Sequence, residues 1–390
     1  MGRHFRSGLA VAGAMLLLSA CGGDADSAGT NGTLGGLTGQ GSEKAADAKE
    51  APLAQKGTVS AMFCTTRPDA DGRTVYGMTV RSYAVKDGAL VAERSSVLPS
   101  RFKPTSGCKG DGPGLPAHYQ FSKDLTMLAG LSKDSRAAAV DTSTGLEIGP
   151  PDQDAFGKNL KPNAAVFHPV TGQLWYDSDR DNYGVKLPRY FRDPKNGAAS
   201  QQTVPYEQLT SHMGKDKETA ATILAAGEDD SPVSPSGVVA QGHTTEGLGL
   251  FRVDSGGDGL LKELKSAALR VPGPQQGDTG VKQHCDPAFW RDDTTLVCRH
   301  DSLRQLTFSP DYQRVTKTEK LLPESDRGVG VPVPSPDGKS VAFISKSDSN
   351  QWVLYRSDFA TPGAQPVKVA ELEPPLDGSD DHRVSLIRWG

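Results

Sequence analysis

Several sequence patterns that mark common enzymes are absent from this chain of 390 residues. There is no Gly-x-Ser-x-Gly elbow and no His-Glu-x-x-His helix, so neither a serine nucleophile nor a zinc-protease site is indicated. No two cysteines have the Cys-x-x-Cys spacing of a zinc site. No stretch is strongly basic, which argues against nucleic acid as a partner. The sequence therefore nominates no catalytic residue.

Two short motifs approach known ligand sites and fail on spacing. Residues 337–340 end like a phosphate-binding loop, but Val333 stands where that motif needs its first glycine. Residues 177–181 carry the alternating carboxylates of an EF-hand, but Asn182 occupies position six and Pro188 occupies position twelve. An EF-hand is excluded. An irregular calcium site remains an alternative to an acidic hairpin turn.

The N-terminal segment has the layout of a secretory signal. A short basic head with Arg3 and Arg6 precedes an apolar run, residues 9–18, that is too short to span a bilayer as a mature helix. The run closes on residues 18–21, Leu-Ser-Ala-Cys, which resembles the lipobox of bacterial lipoproteins. The resemblance implies that residues 1–20 are removed and that Cys21 carries lipid on the extracytoplasmic side of the cell membrane. The alternative is an ordinary cysteine behind a soluble-secretion signal.

The segment that follows predicts a tether. Residues 22–56 contain almost nothing apolar to bury, so we expect a disordered link after the lipidated Cys21. Removal of residues 1–20 takes away two arginines and no acid, which leaves 41 basic and 47 acidic side chains. Glycine and proline together make up 71 of the 390 residues, which is typical of a turn-rich β protein with a tether.

From residue 57 to residue 390 one unit recurs: a short strand, a polar turn, an apolar strand, a second polar turn and two more strands. The clearest copy is Val-Pro-Ser-Pro-Asp-Gly-Lys-Ser-Val-Ala-Phe-Ile at residues 333–344, and four others begin near residues 120, 166, 233 and 289. The chain ends with an unaccompanied first strand at residues 384–389 and begins with strands that lack a first one. Joining the two ends closes a ring and removes the unpaired sheet edges.

These repeats predict an all-β fold, a six-bladed β-propeller closed by one C-terminal and three N-terminal strands. The last copy and the turn at residues 178–181 resemble the propeller repeats of the TolB family, which implies the same fold and no single function. Residues 207–226 break the pattern with good helix formers and a glycine stop, so we expect a short helical insertion in blade three, placed as a surface excursion.

The remaining four cysteines predict two disulfides in an oxidising compartment. Within the expected blades, Cys285 precedes a first strand and Cys298 ends the antiparallel second strand, so these two should meet. Cys64 ends a second strand, and Cys108 lies in the loop leaving the same blade, on the same face.

One polar constellation remains. In a propeller, the loops that enter first strands and the turns between second and third strands open on the same face, and five of the seven histidines after residue 20 fall there. The candidate binding face comprises His118, Asp230, His243, His284, Asp286, His300, Asp301, Asp381 and His382. We expect the histidines of this face to titrate near pH 6. The alternative is that they are solvated turn residues.

This face predicts a membrane-tethered, non-enzymatic protein that binds a protein or envelope ligand. The alternative is a metal-dependent hydrolase or lactonase, since some six-bladed propellers hold a catalytic ion. No cofactor is indicated beyond a divalent cation, which the His and Asp side chains of the candidate binding face could hold.

Overall fold

The strands of the computed structural model are distributed over the chain after residue 50. The structure describes residues 51–68, 70–72, 74–100, 102–104, 108, 116–132, 134–149, 162–177, 187–227, 229–243, 247–253, 260–269, 285–299, 302–323, 328–347, 349, 351–373 and 382–390. These residues form six antiparallel sheets, each of which is one blade of a propeller. Among them, no helix is both long and apolar enough to cross a bilayer.

Blade one closes the ring as predicted. Its strand order is β23 (His382–Trp389), β1 (Thr58–Pro68), β2 (Thr74–Ala84) and β3 (Leu90–Val97). The C-terminal strand lies antiparallel to β1, with Val59 opposite Trp389 and Thr65 opposite His382. One strand from the end of the chain and three from its beginning therefore share one sheet, which confirms the predicted closure.

The other five blades follow in chain order. Blade two contains β4 (Lys103–Pro104), β5 (Met127–Leu131), β6 (Ala137–Asp141) and β7 (Glu147–Ile148). Blade three contains β8 (Ala165–Phe167), β9 (Leu174–Tyr176), β10 (Arg189–Arg192) and β11 (Gln202–Val204). Blade four contains β12 (Val238–His243), β13 (Gly247–Val253) and β14 (Leu261–Leu269). Blade five contains β15 (Asp286–Trp290), β16 (Thr295–Arg299), β17 (Leu303–Phe308) and β18 (Val315–Lys320). Blade six contains β19 (Val333–Pro334), β20 (Ser340–Lys346), β21 (Trp352–Asp358) and β22 (Val367–Glu371).

The first strands of blades two and four differ from the expected continuous strands. In blade two, the inner edge of β5 pairs with β4 at one end and with Phe121 through a single bridge at the other. In blade four, the first strand is reduced to a bridge between Val233 and Val239. Prolines in both segments remove backbone amides that a full ladder needs. In blade two, a 3-10 turn also directs its amides away from the neighbouring strand.

Six hydrophobic clusters hold the ring together, one between each pair of adjacent blades. The central strands are buried on both faces, so alternate side chains enter alternate clusters: Leu128 packs toward blade one and Ala129 toward blade three. The cluster between blades six and one joins Ile344 to Phe63 and Leu386. Because this last interface exists only if the ring closes, the C-terminal strand contributes to packing as well as to pairing.

The helical insertion consists of two helices and is not a surface excursion. Helix α1 (Tyr206–Met213) and helix α2 (Lys217–Ala226) follow the last strand of blade three. All residues of α2 from Thr219 to Ala226 are buried, in the cluster that joins blades three and four. Small side chains allow the helix to fit between two sheets, and only its first turn is charged.

At two turns, a glycine backbone contacts the outer strand of the neighbouring blade. Gly88 has φ +72°, and a Cβ there would lie 1.9 Å from the carbonyl oxygen of Val369 in blade six. Gly145 has φ +70°, and a Cβ there would lie 2.1 Å from the oxygen of Val97 in blade one. Both positions need glycine for conformation and for close approach.

The ordered body includes residues assigned to the tether from the sequence. Leu53 is 4% exposed and belongs to the cluster between blades one and two. Its carbonyl oxygen accepts a hydrogen bond from Ser82 Oγ at 2.7 Å, and Arg94 Nη2 donates to the oxygen of Ala51 at 2.9 Å. Residues 51–56 thus lie against the propeller.

Candidate functional site

The propeller has two faces with different chemistry. We call the face on which the first strands begin the strand-start face. We call the opposite face, which carries the turns from first to second strands and from third to fourth strands, the turn face. The first strands of adjacent blades contact one another, as β19 and β23 do, so the first strands lie nearest the propeller axis.

A pocket of about 250 Å³ opens on the strand-start face. Four blades contribute to it, chiefly through the segments at which their first strands begin: Pro116, residues 230–232, residues 286–288 and residues 331–332. Prolines form much of its wall, which leaves few backbone donors to satisfy a negative charge. The charged side chains that line it are Asp230, Asp286 and Arg299.

Asp229 and Asp230 enter this region from the end of α2 and have different environments. Asp229 accepts hydrogen bonds from the Ser231 amide at 3.0 Å, from Ser231 Oγ and from Gln241 Nε2 at 2.6 Å. Asp230 lies at the pocket rim, where loss of hydration and then the charge of Asp229 raise the pKa of its carboxyl above the ordinary value. Asp229 is held by its neighbours, whereas the Asp230 carboxylate is disfavoured.

Asp286 and Arg299 face each other across the first ladder of blade five. They are register partners in β15 and β16, and Arg299 Nη2 lies 3.9 Å from Asp286 Oδ2. The predicted disulfide between Cys285 and Cys298 joins the two strands at the adjacent positions. This bridge closes a short loop and contributes about 3 kcal/mol in the chain-entropy estimate, so the wall that carries the ion pair is held in place.

The second predicted disulfide is also present. Cys64 in β1 bonds to Cys108, and the two Cα atoms lie 5.0 Å apart. Both cysteines are buried in the cluster between blades one and two. The pairing expected from the blade geometry is therefore confirmed for all four cysteines.

His118 and Tyr119 lie in the 3-10 turn that precedes the inner edge of blade two. Their ring centroids are 4.1 Å apart. Burial, followed by the nearby charge of Arg388, lowers the pKa of His118 to about 4. Burial raises the pKa of Tyr119, and the carboxylates of Asp230 and Glu218 add to the effect. This lowered pKa contradicts the expectation that His118 titrates near pH 6, and the half-buried ring lies against Tyr119.

The structure describes only part of the candidate face. It brings Asp230 and Asp286 together at the pocket and places His118 two residues from Pro116 of its wall. The backbone of His243 ends β12 and that of His382 begins β23, both on the strand-start face. Five predicted residues lie outside the described part of the chain: Cys21, His284, His300, Asp301 and Asp381.

The sequence analysis missed Arg299 and Tyr119. Arg299 directly follows Cys298, so the expected disulfide partner of Cys285 already placed it opposite Asp286. Nothing in the sequence marked Tyr119, because its burial depends on the cluster that joins blades three and four.

Among the described residues, no group of three or more His, Cys, Asp or Glu side chains has a geometry that could hold a metal ion. Residues 178–181, which carried the calcium-loop alternative, lie outside the described residues.

No family model matches this chain, and no curated protein matches it. Solved structures with a similar fold include a protein described as a putative TolB from Agrobacterium tumefaciens, at 13% identity with a TM-score of 0.39, covering 85% of this chain and 98% of that chain. Two proteins described as putative 6-phosphogluconolactonases are also similar. The one from Bacteroides uniformis has 14% identity and a TM-score of 0.34, covering 81% of this chain and 83% of that one. The one from Bacteroides fragilis has 12% identity and a TM-score of 0.34, covering 86% and 99%. On the pairing of its own strands, the chain is a six-bladed β-propeller.

Proposed function

We propose that this chain is a membrane-tethered binding protein, held by lipid on Cys21, that takes a positively charged group of a protein or envelope ligand into the strand-start pocket. The ligand group is an amine or guanidinium. The protein acts as a receptor or scaffold beside the membrane, and no covalent chemistry is assigned to it.

The two carboxylates that line the pocket, Asp230 and Asp286, carry this proposal, and the raised pKa of Asp230 agrees with it. The Asp230 carboxylate is exposed at the pocket and lies near Asp229 and Asp286, so the repulsion between these acids is relieved when a cation approaches. Arg299 supplies one positive charge to the pocket, against the two carboxylates that line it. The charge balance therefore favours a cationic ligand over an anionic one, and the rigid disulfide-linked wall limits the reorganisation that binding requires.

Short peptides test the ligand class directly. The full chain, purified in detergent, is titrated with three peptides of equal length whose central residue is Arg, Lys or Gln, and binding is followed by fluorescence anisotropy. We expect the Arg and Lys peptides to bind and the Gln peptide not to bind, with affinity that falls as salt rises.

Paired variants locate the site. Asp230→Asn with Asp286→Asn should abolish binding of the cationic peptides, whereas Asp337→Asn, an exposed carboxylate of the turn face, should leave it unchanged. Equal binding of all three peptides, or binding that survives the double change, would refute a cation-selective pocket.

A separate experiment tests the anchor. Cys21→Ser should leave the protein unprocessed or release it from the membrane fraction, because the lipidated thiol is removed. A processed Cys21→Ser protein that still sediments with membranes would overturn the lipid anchor while leaving the pocket untouched.

A further inference from the structure

The first-to-second turn of blade three departs from a side-chain rule that other blades follow. In blades two, four and six the turn begins with a serine whose Oγ accepts an amide hydrogen bond from the far side of the turn: Met127 to Ser122 at 3.0 Å, Val238 to Ser234 at 2.9 Å and Ser340 to Ser335 at 2.9 Å. In blade three the same position is His168, whose amide donates to the oxygen of Gln173 at 2.9 Å as the serine amides do in their turns, so the difference lies in the side chain.

His168 holds the near side of its turn with one ring nitrogen and reaches the insertion with the other. Its Nδ1 accepts from the amides of Val170 at 3.2 Å and Thr171 at 3.3 Å. Because Nδ1 is an acceptor, the proton resides on Nε2, which lies 3.1 Å from Thr219 Oγ1 in α2. The ring is 4% exposed.

The chain of hydrogen bonds continues into the N-terminal cap of α2. Thr219 Oγ1 donates to Asp216 Oδ2 at 2.9 Å, and the Thr219 amide donates to Asp216 Oδ1 at 2.7 Å. Asp216 is the N-cap of the helix. A neutral His168 therefore ties the turn of blade three to the cap of α2.

The other end of α2 leads into the pocket. The oxygen of Leu224 accepts hydrogen bonds from the amides of Gly227 and Asp229, at 2.8 and 3.0 Å, and Asp230 follows directly. The helix has ten residues and spans about 15 Å. It connects the His168 turn on one face with the carboxylates of the strand-start face.

We propose that His168 is an acid-sensitive latch that fixes the N-terminus of α2 to blade three when its ring is neutral and releases it when the ring is protonated. A proton on Nδ1 places an N–H against the amides of Val170 and Thr171, so both of these hydrogen bonds are lost. The imidazolium is then drawn to Asp216, which removes that carboxylate from the Thr219 amide and uncaps the helix.

The charges around His168 set the direction of the switch. Residues 169–173 of its own turn are uncharged, and the acids whose charge acts on the ring are Asp216 and Glu218 of α2. Burial outweighs both acids and lowers the pKa of His168 below its ordinary value. The latch is therefore closed at neutral pH and opens in mild acid.

Hydrogen exchange of the full chain in detergent measures the latch without any ligand, so its outcome is independent of the proposed pocket function. From pH 7.5 to pH 5.0, after correction for intrinsic exchange rates, the amides of residues 217–222 should lose protection by roughly tenfold, the equivalent of one or two hydrogen bonds. Amides of β20 and β21 should keep their protection, which shows that the ring remains folded.

Two variants isolate the mechanism. His168→Ser installs the residue that three other blades use, so the turn is retained while the titrating group and the reach to α2 are lost. His168→Ser should therefore make protection of residues 217–222 independent of pH between 7.5 and 5.0. Thr219→Val keeps the shape of the side chain but removes the hydroxyl that joins His168 to Asp216, so protection should already be lower at pH 7.5 and should change less with pH. Wild-type protection that does not change with pH, or the same pH dependence in both variants, overturns the latch.

Discussion

Aspartates on the two faces of the propeller differ in what surrounds them. On the turn face, Asp337 accepts from Ser335 Oγ at 2.7 Å and from the Lys339 amide at 3.1 Å, and these bonds lower the pKa of its carboxyl. Asp311 is held in the same way by Ser309 and Gln313. On the strand-start face, burial and the charge of Asp229 raise the pKa of Asp230.

The aspartates of the turn face shape their own turns, whereas Asp230 is available for binding. A turn aspartate that accepts hydrogen bonds from its own loop has its charge satisfied locally, and its role is to shape the turn. Asp230 sits among proline walls and other acids, so the folded protein leaves its charge poorly compensated. Clusters of polar turn residues alone do not identify a binding face. Asp230 of the strand-start face has a raised pKa, whereas Asp311 and Asp337 of the turn face have lowered ones.

Opening the ring should have the largest effect, because it disrupts both faces together. Deletion of residues 383–390 removes most of β23, leaves β1 unpaired on one side and exposes the cluster between blades six and one. We expect loss of the cooperative thermal transition, or aggregation, as seen by calorimetry and size-exclusion chromatography. A monomeric truncated protein with an unchanged melting temperature would contradict ring closure through β23.

Two glycines of the turn face should differ in their response to alanine. Gly88→Ala forces a Cβ against the Val369 oxygen at positive φ, and we expect a loss of about 3 kcal/mol of unfolding free energy. Gly338 has φ +66° with nothing within 4 Å of a Cβ, so Gly338→Ala should cost about 1 kcal/mol. Denaturant titration compares the two, and equal losses would argue against the contact between the outer strands.

His118 on the strand-start face should make stability depend on pH. Its folded pKa of about 4 lies below the unfolded value near 6.5. The unfolded chain therefore binds more protons in this window, and unfolding free energy falls as pH drops from about 6.5 to 4, by roughly 2–3 kcal/mol. His118→Phe should flatten this part of the curve in denaturant titrations at several pH values. If His118→Phe left the dependence of unfolding free energy on pH unchanged, the His118 ring would be in water in the folded protein.

The smallest expected effect is the change in melting temperature when an aspartate of either face is replaced by asparagine. At pH 7, Asp230→Asn should slightly raise the melting temperature, because the folded state raises the pKa of this group and so disfavours its charged form. Asp124→Asn should lower the melting temperature, since hydrogen bonds from Ser122 and Thr126 lower the pKa of Asp124 despite its partial burial. Each change is expected to be within about 1 kcal/mol. If both variants shifted the melting temperature in the same direction, Asp230 and Asp124 would not differ in how the fold treats their charge.

Much of the fold could be predicted because the repeat is local. Alternating apolar strands and Ser-Pro-Asp-Gly turns mark blade six almost completely, and the leftover strands at the two ends of the chain require each other. The first strands of blades two and four were less predictable, since prolines and a 3-10 turn replace continuous ladders there. The depth of α2 was missed because helix formers and a glycine stop define a helix but not the two sheets between which it packs.

The candidate site was predicted in part. Asp230 and Asp286 precede first strands, so their face followed from propeller topology. The role of Arg299 required the register between β15 and β16, and the environment of Tyr119 required blades that are distant in sequence. Charge compensation depends on such distant neighbours, which a local pattern does not contain.

The sequence by itself determined the number of blades, the mode of closure and the pairing of four cysteines, because strand period, turn chemistry and ladder geometry are properties of short segments. Only the tertiary structure decided which charges the fold satisfies. It placed His168 against the cap of α2, lowered the pKa of His118 and left Asp230 poorly compensated, because hydration and the field of nearby charges are set by residues that come together only when the ring is closed.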